Sequence, residues 1–126
     1  MDLLDKNKKL ILVVDDEPMI INLTSEFLKE EGFDTCSAKN AAEALSQMEK
    51  QSADAVLLDI RLPDEDGLVF LKRLKEKYPN VPVVMLTGAG YDEERMQTAL
   101  RYGASGYVSK DTEMEKKIAV LKQLLK

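Results

Sequence analysis

Apolar runs and amphipathic stretches alternate along the chain. Residues 10–14 (LILVV) form a continuous apolar run, the pattern of a strand buried on both faces. The run stops at Asp15-Asp16. Pro18 suits the first turn of a helix, in which Ile20, Leu23, Phe27 and Leu28 recur at helical spacing, and Gly32 serves as its C-terminal cap. Residues 33–38 read as a second strand, less apolar through Thr35, Cys36 and Ser37 and therefore placed at a sheet edge. Asn40 with Glu43 marks a helix start, and Ala41, Ala44, Leu45 and Met48 give that helix an inner face. Residues 55–58 (AVLL) are a third buried strand ending at Asp59. The Pro, Gly and Asp content of residues 61–67 (RLPDEDG) predicts a loop, with Asp66 available as a helix cap at its end. Leu68, Leu71 and Leu74 mark a third helix, closed before Pro79.

The second half repeats the pattern. Residues 81–86 (VPVVML) predict a fourth strand ending at Thr87-Gly88, with Pro82 tolerable near its start. Residues 92–102 form a helix with Met96, Ala99 and Leu100 inward. Residues 105–109 (SGYVS) are a weaker fifth strand that ends at Lys110. Thr112 and Glu115 read as a capping box, and Met114, Ile118, Leu121 and Leu125 carry the last helix. Five strand–helix repeats imply an α/β fold with a parallel sheet covered by helices on both faces. Right-handed crossovers leave few topologies. The expected one is the doubly wound, flavodoxin-like order 2-1-3-4-5. The 126 residues fit one domain, residues 1–126, with an ordered core over about 9–125.

Composition narrows the function classes. The single cysteine, Cys36, excludes an internal disulfide and fits a reducing cytoplasm. No apolar run approaches the ~20 residues of a membrane span, and residues 1–10 lack the apolar stretch of a signal peptide. A net charge of −5, from 23 acids and 18 bases, argues against direct nucleic-acid binding. The chain has no histidine, which removes histidine-based catalysis and disfavours zinc.

Four strands end in a polar residue able to do chemistry: Asp15 and Asp16, then Asp59, Thr87 and Lys110. In a parallel sheet these ends share one edge. Strands one and three flank the point where the winding reverses, and ligands bind in the crevice there. Taken singly, an aspartate after a strand is a turn or cap residue, Thr87 before Gly88 is turn chemistry, and Lys110 is a surface lysine. The joint placement is what calls for a shared role. Two carboxylates about 4 Å apart repel by roughly 4 kcal/mol at an effective dielectric near 20, so one is protonated or a cation lies between them. An all-oxygen donor set without histidine or cysteine points to a hard divalent ion, and magnesium suits few carboxylates plus phosphate oxygens. A carboxylate beside magnesium is a competent nucleophile toward a phosphoryl group, with Lys110 as a point charge for its oxygens.

In that order and at those strand ends, VVDDEP (13–18), LLDIRLPDEDG (57–67), VVMLTG (83–88) and GASGYVSK (103–110) resemble the receiver domains of two-component response regulators, over nearly the whole chain from about Lys9. The resemblance implies that Asp59 is the phosphoacceptor. It implies that Asp16, Asp59 and the backbone carbonyl of Arg61 bind Mg2+ directly, with Asp15 holding it through a water. Thr87 and Lys110 would contact the phosphoryl group. Tyr107 resembles the aromatic switch residue, whose plainer reading is a half-exposed ring on an edge strand. The implied donor is a histidine kinase or histidine phosphotransfer protein, and the implied readout surface is the fourth helix, fifth strand and fifth helix. Such a module is a signalling domain rather than an enzyme. The sequence departs from the pattern at Asp111, where receivers often carry a proline that positions the lysine. Arg61 and Ala89 occupy variable positions that tune phosphoryl lifetime in the family.

Two rival readings share some of these residues. A haloacid-dehalogenase-type phosphatase also uses an aspartate after a strand, but places it early with a second acid two residues on; here Ile60 and Arg61 come after Asp59, and the acidic pair comes first. A pseudo-receiver, binding without phosphorylation, would not need Asp15, Asp16, Asp59, Thr87 and Lys110 together. Gly88-Ala89-Gly90 after a strand suggests a dinucleotide loop, yet Glu93 stands where a third glycine belongs. Cys36 is expected to be inert, and the acidic residues 64–66 to be solvated.

Overall fold

A computed structural model describes residues 8–88 and 92–126. Five parallel strands, β1 (Leu10–Val14), β2 (Asp34–Ala38), β3 (Ala55–Asp59), β4 (Val83–Thr87) and β5 (Gly106–Ser109), alternate with α1 (Pro18–Glu30), α2 (Ala41–Lys50), α3 (Gly67–Lys77), α4 (Glu93–Arg101) and α5 (Met114–Leu124). The sheet order is β2-β1-β3-β4-β5, as expected. Registers such as Val14 opposite both Ala38 and Leu58, and Asp59 opposite Leu86, align the C-terminal strand ends on one edge.

Alternation along the strands builds two cores. Leu12, Val14, Val56, Leu58 and Met85 face α2, α3 and α4, where Phe70, Leu71, Leu74 and Ala99 meet them. Ile11, Val13, Leu57, Val84 and Leu86 face the other way, against Ile21 and Leu28 of α1 and Ile118 and Leu121 of α5. β2 is the less buried edge strand that its polar residues predict. Gly32 adopts φ +93°, the left-handed conformation of a helix terminator. Asn40 accepts from the Glu43 backbone N–H at 2.8 Å, and Asp66 caps α3 by accepting from that of Leu68 at 2.7 Å.

Several expected details differ. α1 packs through Ile21, Thr24 and Leu28, leaving Leu23 and Phe27 49% and 36% exposed. Its apolar stripe is wider than the face the sheet covers, and spacing alone does not choose between neighbouring rows. Leu100, expected inward, is 48% exposed; α4 buries Ala99. β4 starts at Val83, after Pro82, which has no N–H to give the ladder. The Thr112–Glu115 capping box is not formed: the cap residue of α5 is Glu113, without a side-chain cap bond. The segment instead turns through the Thr112 N–H, which donates to the Ser109 carbonyl at 3.0 Å. Asp64 is exposed, but is not merely solvated. Its carboxylate accepts from the Ala41 and Ala42 N–H groups at 3.0 and 3.1 Å, at the start of α2.

Candidate functional site

Four of the five strands, β1, β3, β4 and β5, end at the site. β1 runs into Asp15, which is buried and whose N–H continues the pairing to the Ala38 carbonyl at 3.0 Å. Its Oδ1 accepts from the Glu17 N–H at 2.9 Å, turning the chain into α1. That turn leaves Asp16 and Glu17 exposed, and carboxylate oxygens of Asp15, Asp16 and Glu17 lie within 4.8 Å of one another.

β3 ends at Asp59, which is 4% exposed. Its Oδ1 accepts from the Arg61 N–H at 3.0 Å, so the β3–α3 loop is folded back on the carboxylate. A bridge between Arg61 and Asp66 closes this loop, and the Gly67 N–H donates to the Ile60 carbonyl at 2.9 Å. A side chain at Gly67 would collide with the Ile60 and Asp59 carbonyls. The glycine therefore lets α3 start directly against the end of β3 and fixes where Asp59 points.

β5 delivers Lys110, held to the end of β4 by its N–H donating to the Thr87 carbonyl at 2.8 Å. Lys110 Nζ lies 2.9 Å from Asp59 Oδ2, 3.1 Å from Asp15 Oδ2 and 3.5 Å from Glu17 Oε1. The departure at Asp111 thus does not keep Lys110 from the site, and no peptide bond among the described residues is cis. Asp15 Oδ2 makes no hydrogen bond of good geometry and is held by the Lys110 charge instead.

A cavity of about 400 Å³ opens in front of these groups, lined by Asp16, Glu17, Asp59, Arg61, Leu62, Pro63, Gly88 and Lys110. Thr87 is buried, and the adjoining cavity wall is Gly88. Burial raises the Asp59 carboxyl above its ordinary pKa, against the pull of Lys110 and the Arg61 N–H and with a smaller push from Asp15. Burial acts to lower the Lys110 pKa, but its contacts with Asp59 and Asp15 outweigh it and hold the ammonium well above the ordinary range. The contact outweighs burial at Lys110, which faces two carboxylates, but not at Asp59, where burial prevails over the one ammonium it meets. The excess of carboxylate over ammonium is the condition under which a hard cation is welcome.

The structure brings Asp15, Asp59 and Lys110 into contact and puts Asp16, Asp59, Arg61 and Lys110 around one cavity. Tyr107 lies opposite Met85 on β5, partly buried against the core on the α2–α4 side. Its hydroxyl is buried, with no hydrogen-bond partner among the described residues. Glu17 was not expected at the site; the third acid of the DDE run was its only signal. Lys117, buried on α5, donates from Nζ to the Lys110 carbonyl at 2.7 Å and was also unforeseen. Burial raises the Cys36 thiol pKa, in keeping with an inert residue. Ala89 and Gly90, of the variable position and the glycine loop, lie outside the described residues.

Comparison with known proteins gives a consistent match. The family model of the response regulator receiver domain matches residues 11–122. The transcriptional regulatory protein TrcR of Mycobacterium tuberculosis is 38% identical over 116 residues, covering 92% of this chain and 45% of that protein. The alkaline phosphatase synthesis transcriptional regulatory protein PhoP of Bacillus subtilis is 36% identical over 104 residues, covering 82% and 42%. The chain thus spans less than half the length of these curated relatives. Among solved structures, the receiver domain of NtrX from Brucella abortus superposes with a TM-score of 0.85 at 37% identity, covering 91% of this chain and 97% of that one. A CheY-like receiver domain protein from Methanospirillum hungatei gives 0.89 at 30% identity, covering 94% of each.

Proposed function

This chain belongs to the family of response regulator receiver domains of two-component systems, and we propose that Asp59 is its phosphoacceptor. The observation that carries the proposal is a single one: a buried carboxylate, gripped by Lys110 and faced by further acids, at the wall of a cavity large enough for a phosphoryl group. An Asp59 oxygen attacks the phosphorus of a phosphohistidine. The P–O bond forms as the P–N bond breaks, and the electron pair of the broken bond leaves with the histidine nitrogen. The chain has no histidine, so the donor is another molecule, a histidine kinase or histidine phosphotransfer protein.

Lys110 offers its ammonium to a phosphoryl oxygen, exchanging part of its contact with Asp59 for one with the transferred group. Thr87, at the adjoining strand end, offers a hydroxyl to another. Asp16, Asp59 and Arg61 line one cavity, with Asp15 buried beside it; the Asp16 and Asp59 carboxylates and the Arg61 carbonyl would hold Mg2+, which would screen the carboxylates and draw in phosphate oxygens. The module acts in the cytoplasm, in keeping with its unpaired thiol; among the described residues no helix is long and apolar enough to cross a membrane.

Incubation with acetyl phosphate and Mg2+ tests the assignment. Intact mass should increase by one phosphoryl group, and the gain should vanish in Asp59→Asn and in the presence of a chelator. Equal labelling of Asp59→Asn would rule Asp59 out.

A further inference from the structure

Asp15, Thr24, Asp59, Thr87 and Lys117 are the buried polar residues among those described. Three of the others belong to the site, and Thr24 is a small hydroxyl on α1. Lys117 is different: a lysine 8% exposed, beside Ile118 on the inner face of α5, with its head inside the fold. Removing an ammonium from water carries a large desolvation cost, and an apolar side chain of similar volume commonly serves stability as well or better. Packing therefore does not account for a lysine here. Burial, and then the Lys110 charge, push its pKa below the ordinary range, with Asp111 and Asp15 opposing.

What the ammonium does is specific. It donates to the Lys110 carbonyl at 2.7 Å, while the Lys110 N–H donates to the Thr87 carbonyl at 2.8 Å. The backbone of Lys110 is thus held on both sides, by β4 and by α5. The connection from β5 to α5 has no other fastening of this kind among the described residues. The Asp111 and Thr112 N–H groups turn back on Ser109, and Glu113 makes no side-chain cap bond. Lys110 is also the residue whose ammonium spans Asp59 and Asp15, so a shift of its backbone moves the cation relative to the attacking oxygen.

We infer that Lys117 is a positioning residue for phosphoryl transfer: it clamps the Lys110 carbonyl from α5 and so fixes the root of the side chain that meets the phosphoryl group. The inference rests on Asp59 being the phosphoacceptor, and it adds a residue of α5 to the machinery. Lys117 touches neither Asp59 nor the cavity; it acts through Lys110.

The test compares the full chain with Lys117→Met and Lys117→Arg, monitoring phosphorylation by acetyl phosphate and Mg2+ by intact mass. Displacing a reacting group by a fraction of an ångström costs on the order of 10-fold in rate, and that loss is expected in the maximal rate of Lys117→Met. The Mg2+ concentration for half-maximal rate should not change, nor should the melting temperature fall. Lys117→Arg, which keeps a charged donor, should recover most of the loss. A folded Lys117→Met variant with the rate of the unaltered chain overturns the clamp, as does an arginine variant equally slow. If Lys117→Met does not fold, Lys117→Gln, whose donor sits on a shorter arm, is measured in its place, with the same loss expected and the same rate overturning it. Failure of the unaltered chain to label would instead overturn the assignment of Asp59.

Discussion

Asp16 and Asp64 are both exposed aspartates in acidic stretches, yet their surroundings differ. Asp16 lines the cavity beside Asp59 with its carboxylate in the Asp15–Asp16–Glu17 cluster, whereas Asp64 is bound to the N–H groups of α2. Titration with Mg2+ should therefore show Asp16→Ala weakened on the order of 10-fold or more, as for loss of a metal-site partner, and Asp64→Ala nearly unchanged. Equal losses would mean that the cation is held elsewhere. At this scale the residues that were legible are those at strand ends: Asp15, Asp16, Asp59, Thr87 and Lys110 are placed by where apolar runs stop. Glu17 and Lys117 were not legible: Glu17, just ahead of α1, and Lys117, on α5, are charged residues whose place is set by side-chain direction, which spacing does not give. Gly67 looked like an ordinary loop glycine, and its near contact with the Asp59 carbonyl depends on how closely α3 approaches β3.

At the scale of elements, Asp64 ties the β3–α3 loop to the N-terminus of α2, where a carboxylate satisfies two otherwise unpaired N–H groups and complements the helix dipole. Loss of such a cap costs about 1 kcal/mol, and urea unfolding of Asp64→Ala near neutral pH should show it. The Ala41 N–H bond, foremost, lowers the Asp64 pKa. The folded state thus binds the proton less readily than the unfolded chain. The stabilisation is present above the unfolded pKa and is lost as pH falls through the folded one. The difference between the two proteins should accordingly shrink in acid; a difference constant across pH would mean that the carboxylate is not the cause. The ten elements and their order were readable from period and punctuation alone. The errors were of face and end. Leu23, Phe27 and Leu100 carry helical periodicity without burial, since a stripe does not state which row the sheet covers. In place of the Thr112–Glu115 pattern the chain makes a turn in which the Thr112 N–H donates to the Ser109 carbonyl.

On the scale of the whole molecule, the question is how an event at Asp59 reaches a partner. Thr87 and Tyr107 lie on neighbouring strands, β4 and β5, and Tyr107 faces the core on the α4 side. Its buried hydroxyl lacks a partner among the described residues, a cost of about 1–3 kcal/mol set against a similar gain from burying the ring. On the proposed function, inward and outward ring positions should be close in energy, so that a small bias at Thr87 selects between them. Amide NMR with beryllofluoride and Mg2+ should show shifts through α4, β5 and α5, with coupling on the order of 1–3 kcal/mol. Shifts confined to the surroundings of Asp59 would leave the chain without this switch. Sheet order and the meeting of strand ends were legible at this scale, because the crossover rules leave few choices; so was Tyr107 as a partly buried ring on an edge strand, whereas the burial of its hydroxyl was not. The central claim remains that one carboxylate carries the phosphoryl group, and borohydride reduction tests it at the bond itself. An acyl phosphate is reduced to the alcohol, so chains treated with acetyl phosphate and Mg2+ and then with borohydride should contain homoserine at position 59 and at no other aspartate. Homoserine at Asp15 or Asp16, or labelling with position 59 intact, would contradict it.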